Sequence, residues 1–375
     1  MGIVRIAFLL VFLVGATTMP GGQVAAQDKA DQIGALIPLS GPNAEYGNIY
    51  QSGMELAVDH IREDKSLPNG VKVVYEDSQA LPQHGIVGFN KLANVVGVTS
   101  VLSAWTSVSK AIAPIATRTN VLVINGAAIS PELAGISPFF LSILPLVTSE
   151  VDAIIPYAIG KRGLKNIAII YQDDPTGNAV FTAFKREIAK AGGKLTEEFA
   201  VQPATQQFGS LAAKVRESKP DAVFISSTGS QLSQIIKQLR DNGVQQQLVG
   251  YSAMLSDTVI AMPEAEGAIF PTQKFQLDGK DDISKRFVEG YRQKYKRDPN
   301  VFAANYYNGV MLYAQLAGAI IKRGEKVTGK ALIDEAHRIK KVNLVGGTLE
   351  FNDDNTVKSP IQINQIKDKK IVTIE

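Results

Sequence analysis

The sequence holds no cysteine. Disulfides, thiolate nucleophiles, cysteine-bound metals and a lipidated N-terminal cysteine are excluded together. Outside the cell such a chain must hold its fold by packing alone. Histidine is scarce too, with His60, His84 and His337 far apart and none at metal-ligand spacing from a partner, so a closed zinc site is not expected. The net charge is only +3, with no basic block along the chain. That leaves no electrostatic footprint for nucleic acid. Beyond the N-terminus there is no long apolar run, so no later segment is expected to span a bilayer.

What is present begins with a leader. Arg5 is its only charge, Ile6 to Ala16 is apolar apart from Gly15, and Val24-Ala25-Ala26 supplies small residues. Residues 1–26 read as a secretory signal cleaved after about Ala26. The apolar run falls short of the roughly 18 residues a membrane anchor needs. The remainder is 45% hydrophobic and 20% charged over the whole chain of 375 residues, a soluble composition with room for two domains.

Short β-rich runs alternate with amphipathic stretches. Strands are expected at Ile33–Ile37, Val71–Tyr75, Thr99–Ser103 and Val121–Ile124, with helices at Tyr50–Glu63, Gly85–Val96 and Val108–Arg118 between them. The rhythm restarts near residue 147. Helices Glu150–Ile159, Ala179–Ala191, Phe208–Glu217 and Gln231–Asp241 alternate with strands Ile167–Tyr171, Leu195–Ala200, Ala222–Ile225 and Leu248–Tyr251. The tail reads as helices Ile283–Tyr295, Phe302–Arg323 and Gly329–Arg338, then strands Gly346–Phe351, Ile361–Ile366 and Ile371–Ile374. The pattern is α/β, with two parallel sheets, one per lobe. In such sheets ligands bind beyond the carboxyl ends of the strands.

Catalytic signatures are thin. Ser107-Val108-Ser109-Lys110 fits an acylating S-x-x-K element and Ser256-Asp257-Thr258 weakly echoes its companion, but no K-T-G follows. Gly324–Lys330 mimics a phosphate loop, yet Ala331 follows where Ser or Thr should stand, and no strand precedes it. Asp77, Asp173 and Asp174 at strand ends read as loop-forming or cleft-edge groups. No enzyme and no cofactor is expected.

The run from Ile33, IGALIPLSGPNAEYGNIYQSGMELAVDHI, resembles the opening of type I periplasmic binding proteins in the branched-chain amino acid subfamily of ABC importers. APIATRTNVLVINGAAISPELA from Ala113, IAIIYQDDPTG from Ile167, KPDAVFISSTGSQLSQIIKQLRDNG from Lys219 and ANYYNGVMLYAQLAGAI from Ala304 follow in family order. The resemblance implies two Rossmann-like lobes joined by a three-stranded hinge, with lobe 1 at 28–147 plus 275–348 and lobe 2 at 148–274 plus 349–375. It implies a periplasmic, monomeric carrier that closes on a small-molecule ligand and delivers it to a membrane permease. The same fold serves repressors, receptors and chemoreceptor adaptors. The export signal and the end of the chain at Glu375 favour transport, though an adaptor role could coexist.

The resemblance also places the site. The loop Ala104-Trp105-Thr106-Ser107 and the loop Asn125–Ser130 would hold a ligand carboxylate, with Thr106 and Ser107 hydroxyls as donors or merely as helix caps. In the second loop Ala127 would act through its backbone, beside Ala128, and Ile129 falls where amino-acid binders carry a Thr. Thr176 and Thr228 stand where those binders carry Tyr, and Ser252 where they carry the acid that pairs the α-ammonium. An ammonium buried without a carboxylate costs several kcal/mol. The expected ligand is therefore an amine-free organic acid, with room for an aromatic body lined by Trp105 and Tyr46. The alternative is a branched-chain or other hydrophobic amino acid, with Glu45, Asp173 or Asp174 supplying the missing carboxylate.

Overall fold

The computed structural model describes residues 31–375 together with the first two, so the expected signal at 1–26 lies otherwise outside the described residues. The first series runs β1 (Asp31–Ile37), α1 (Ala44–Asp64), β2 (Val71–Asp77), α2 (Pro82–Asn90), β3 (Ser100–Ser103), α3 (Thr106–Thr119), β4 (Leu122–Asn125) and β5 (Phe140–Ser142). The second runs α4 (Val147–Gly160), β6 (Asn166–Gln172), α5 (Pro175–Lys190), β7 (Lys194–Val201), α6 (Gly209–Ser218), β8 (Ala222–Ser226), α7 (Gly229–Asp241), β9 (Gln247–Gly250), α8 (Asp257–Ala261) and β10 (Ile269–Gln273). The tail adds α9 (Asp282–Tyr295), α10 (Val301–Lys322), α11 (Gly329–Ile339), β11 (Lys341–Leu344), β12 (Gly347–Phe351), β13 (Val357–Lys358), β14 (Ile361–Lys367) and β15 (Lys370–Thr373).

Two lobes form, each on its own sheet. The first sheet has the order β2-β1-β3-β4-β5 and is parallel throughout. The second has the order β15-β14-β10-β9-β8-β6-β7, parallel from β7 to β10 and antiparallel at β14 and β15. Their central strands are buried on both faces, as Ile33–Ile37 and Ala222–Ser226 show, so they read as unbroken apolar runs. Helices α9 to α11 return to the first sheet, where α10 packs along α1 and buries nearly all of Val301–Ala317. Among the described residues the chain crosses between lobes three times: after β5, after β10 and before β14. Two of these crossings are tied where the Lys274 N–H donates to the Pro360 carbonyl at 2.8 Å. The expected lobe division at 348/349 falls within β12, which pairs with β11 and β13.

Several boundaries differ from the apolar pattern. Helices α1, α3, α5 and α7 start two to six residues before it, because caps and first turns carry little apolar signal. The expected helix Gly85–Val96 is α2 followed by a π-helical stretch at Lys91–Val96. Strands β5, β10, β11 and β13 and helix α8 had no expectation. Pro271 argues against a strand, but β10 meets β9 only at Ile269, so the missing N–H breaks no further rung there.

The contact between α1 and α10 rests on Gly53, where an added Cβ would lie 2.1 Å from the Ala303 carbonyl oxygen. On the outer stretch of α10, a Cβ at Gly318 would meet nothing closer than 3.4 Å. Gly53→Ala is expected to destabilise the protein by about 1–3 kcal/mol through overpacking. Gly318→Ala is expected to be neutral or stabilising by up to about 1 kcal/mol through helix propensity. Urea unfolding of both variants checks the pair; equal midpoints would mean that the two helices do not need the close approach.

Candidate functional site

In each lobe the strand order reverses around one strand, β1 in the first and β6 in the second, and the chain leaves their sheets toward a shared cleft. The cavity there is lined by residues that follow the carboxyl ends of β1, β3, β4, β6, β8 and β9, as the topology dictates. It holds about 500 Å³ of empty space, its open mouth included.

Tyr46, Trp105, Thr106, Ala127, Ile129, Thr176, Thr228 and Ser252 all line this cavity. Two expected residues do not. Ala128 is buried beneath it, its N–H donating to Asn125 Oδ1 at 2.8 Å. Ser107 points instead into a wider outer groove that shares Trp105, Asp174 and Thr228 with the cavity. The pattern gave no sign of Tyr50, Tyr251, Ala253 and Phe302, which complete the walls.

The aromatic walls form one cluster. Trp105 meets Tyr46 edge-on with centroids 5.6 Å apart, and Phe302 packs edge-on against both Tyr46 and Tyr50 at 6.0 Å. Tyr50 stacks on Tyr306 at 4.1 Å, and the Tyr306 hydroxyl donates to the Ser103 carbonyl at 2.8 Å, fixing the cluster to β3. Burial pushes the phenols of Tyr46, Tyr50 and Tyr251 far up, so they serve only as neutral groups.

Helix α3 begins at the cavity floor. Trp105, its N-cap, sits at φ 65° and ψ 128° and gives the helix no side-chain cap. A positive φ on a bulky residue is strained, and it is kept here by the packing around the ring. The first N–H groups of α3 are left open toward Thr106, with the positive end of the helix behind them. Helix α7 likewise has no side-chain cap from Thr228. No Lys, Arg or His lines the cavity among the described residues.

Contacts bridge the lobes across the cleft. The Thr176 hydroxyl donates to Thr106 Oγ1 at 2.7 Å, and the Tyr46 hydroxyl donates to the Ala253 carbonyl at 2.7 Å. Glu45 accepts from the Thr258 N–H at 2.7 Å and from the Ser256 hydroxyl at 3.1 Å. That places Glu45 on the start of α8 and outside the cavity wall, so it is no ammonium partner there. Asp173 also turns away, accepting from Gln202 at 2.8 Å and Asn178 at 3.1 Å. Asp174 does reach the wall, capping α5 through the Gly177 N–H at 2.7 Å, and burial raises its carboxyl.

One acid stands behind the wall. Glu150, in the first turn of α4, is fully buried and accepts the Ser252 N–H at 2.9 Å. Burial pushes its carboxyl up to about 7, against the hydrogen bonds from the Ser252 N–H and hydroxyl. The sequence reading used Glu150 only as the start of a helix.

The enzyme-like fragments come apart. Lys110 pairs with Glu132 rather than Ser107. Ser256 caps α8, and in the false phosphate loop Thr328 caps α11 while Lys330 pairs with Asp334 at 2.7 Å. Asp77 holds the turn after β1, accepting from the Leu39 N–H at 2.8 Å. His60 bonds the Tyr307 hydroxyl at 2.8 Å and His337 bonds Asn355 at 2.6 Å. The described residues contain no helix long and apolar enough to cross a membrane.

The family profile for periplasmic binding proteins matches residues 32–370. Leu/Ile/Val-binding protein homolog 3 of Brucella melitensis is 24% identical over 92% of this chain and 93% of its own. A solute-binding protein of an R. palustris ABC transporter, solved in complex with benzoate, superposes with a TM-score of 0.83 at 19% identity, covering 92% of this chain and 95% of that one. The branched-chain amino acid transporter substrate-binding protein of Streptococcus pneumoniae, solved with isoleucine, gives a TM-score of 0.83 at 20% identity, over 92% and 100%. These relatives and this fold are those of solute-binding proteins, which are not enzymes. The chain belongs to the periplasmic binding protein family, as a type I member of the branched-chain amino acid group that supplies the small-molecule-binding component of ABC importers.

Proposed function

We propose that this chain is the monomeric capture component of an importer for a small amine-free organic acid, an aromatic carboxylate being the best fit. The observation that carries this reading is the open N-terminus of α3 at the floor of a cavity walled by five aromatic rings. A carboxylate there meets backbone N–H groups and the Thr106 hydroxyl, while an aromatic body meets Trp105, Tyr46 and Phe302. Ile129, Thr176, Thr228 and Ser252 offer an ammonium no charge, and their neutral side chains support the same choice. The benzoate complex of the R. palustris neighbour supports it by analogy of fold.

Lobe 1 is taken as 28–147 plus 275–348 and lobe 2 as 148–274 plus 349–375, with 1–26 as an export signal removed after about Ala26. A ligand that touches both lobes draws the hinge toward the closed form. A branched-chain amino acid is the second reading. Asp174 in the wall and Glu150 behind it favour that reading, as does the isoleucine complex of the S. pneumoniae neighbour.

A thermal-shift panel on residues 27–375 separates the two. Benzoate and 4-hydroxybenzoate are expected to raise the Tm with ln(1 + [L]/Kd), while leucine and valine leave it unchanged. A clear shift with leucine alone would return the cleft to amino acids.

Closure itself has a separate test at Gly229, where φ is +57° and an added Cβ would lie 2.4 Å from Asn43 Oδ1 and 2.5 Å from the Pro42 carbonyl of the facing lobe. Gly229→Ala is expected to hold the lobes apart and weaken ligand binding about tenfold or more. Small-angle scattering should show the ligand-saturated variant more extended than the parent. Unchanged affinity and shape would mean that the ligand does not need the closed cleft.

A further inference from the structure

Glu150 is a carboxyl with no counter-charge. It is 3% exposed, and it takes part in no ion pair among the described residues, although it sits directly behind a wall of the ligand cavity. Among the described residues its hydrogen-bonding partner is Ser252, whose N–H donates to it at 2.9 Å and whose hydroxyl stands beside it. The elements around it bring Tyr251 from the end of β9, Tyr46 from α1 and Asp174 from the start of α5 to the same region, and none of them is basic. On the α5 side of α4, Arg186 pairs with Asp152 and Glu187, and Lys190 pairs with Glu187, out at the surface. Strand β10 contributes no titratable group, and Lys367 of β14 is exposed.

We propose that Glu150 is the specificity-determining positioning residue of the cleft, acting through the Ser252 hydroxyl. When Glu150 is ionised, it accepts from both the N–H and the hydroxyl of Ser252. The hydroxyl proton then points away from the cavity and its lone pairs face the ligand, an arrangement that suits an ammonium. When Glu150 is protonated, its O–H donates to Ser252 Oγ. The Ser252 proton is then free to turn into the cavity and donate to an anion. One buried proton thus decides whether the wall presents a donor or an acceptor. The balance lies near neutrality because burial has raised this carboxyl to about 7.

The linkage has a definite sign. An anion seated in the cavity favours protonated Glu150, so its binding takes up a proton at pH values above the free carboxyl's pKa. Its affinity therefore falls as pH rises through about 7. An ammonium-bearing ligand does the reverse. The benzoate arm rests on the amine-free reading above, whereas the dependence on Glu150 does not.

The experiment measures benzoate and leucine affinities at pH 6 and pH 8 for the parent and for Glu150→Gln. The glutamine accepts the Ser252 N–H and donates to Ser252 Oγ, copying the protonated form without the ability to titrate. Benzoate is expected to bind the parent about tenfold more tightly at pH 6 than at pH 8, and Glu150→Gln equally at both. If leucine is the ligand, its affinity should rise with pH in the parent and be weak and pH-independent in the variant. That result sinks the amine-free reading and keeps the role of Glu150. A flat parent profile, or one that survives in Glu150→Gln, overturns that role whichever ligand binds. Should neither probe bind, the fluorescence of Trp105, the one tryptophan of the chain, decides it in the free protein. A step near pH 7 that Glu150→Gln abolishes sustains the role, and no step, or a step that persists, overturns it.

Discussion

A parallel strand delivers the chain to the same edge of its sheet every time, and the helix that follows begins there with its N–H groups open. Two such sheets face each other in this protein. The cleft between them therefore receives helix starts from both sides, α3 from one lobe and α5 and α7 from the other. Of these three starts, only α5 is closed by its own cap, Asp174. The other two have no side-chain cap; at α7 the Ser230 N–H donates to the Pro42 carbonyl of the facing lobe, which leaves the start of α3 to carry the positive partial charge of a site that has no basic side chain in its wall. A backbone dipole fixed by the helix cannot swing away, as a lysine on its flexible stem can.

That arrangement shapes what surrounds it. Without a buried cation, the acids near the cleft have only hydrogen bonds to hold them ionised, from Ser252 at Glu150 and from the start of α5 at Asp174, and burial outweighs these and raises both. The aromatic cluster packs around Trp105 in a backbone setting that an isolated loop would abandon. At the edge of the cleft Glu45 accepts from Thr258 and Ser256 and Arg297 pairs with Asp257, while inside the cavity the lobes meet through neutral hydrogen bonds, Thr176 to Thr106 and Tyr46 to Ala253. Each such bond contributes about 1 kcal/mol net, so the hinge equilibrium stays within reach of a small ligand's binding energy.

The alternation of strands and helices made the architecture legible, since buried parallel strands and amphipathic helices each leave a period in the sequence. Topology puts the candidate loops at strand ends, and the resemblance singled out which of them to name. The walls contributed from a distance could not. Phe302 lies far along the chain from Trp105, and no local pattern distinguishes its ring from any other core aromatic on α10. Glu150 looked like a first-turn acid that favours a helix start, a role it shares with many surface residues. Only the packing of α4 against the second sheet reveals that its carboxyl turns inward. Glu45 shows the converse: a plausible ligand partner by position, it is occupied by the start of α8 on the opposite lobe.

At the first of the three crossings, one short stretch of chain and a few bonds run from one wall of the cleft to the other. Ile129, in the first-lobe wall, accepts the Val147 N–H at 2.6 Å, at the end of the first crossing. Val147 opens α4, Glu150 follows in the same helical turn, and Glu150 holds the backbone of Ser252 in the second-lobe wall. The Ile129 loop and Ser252 thus both bear on the first turn of α4, where the first crossing ends. The element that bears the buried acid is also the one that opens the second lobe after the first of the three crossings.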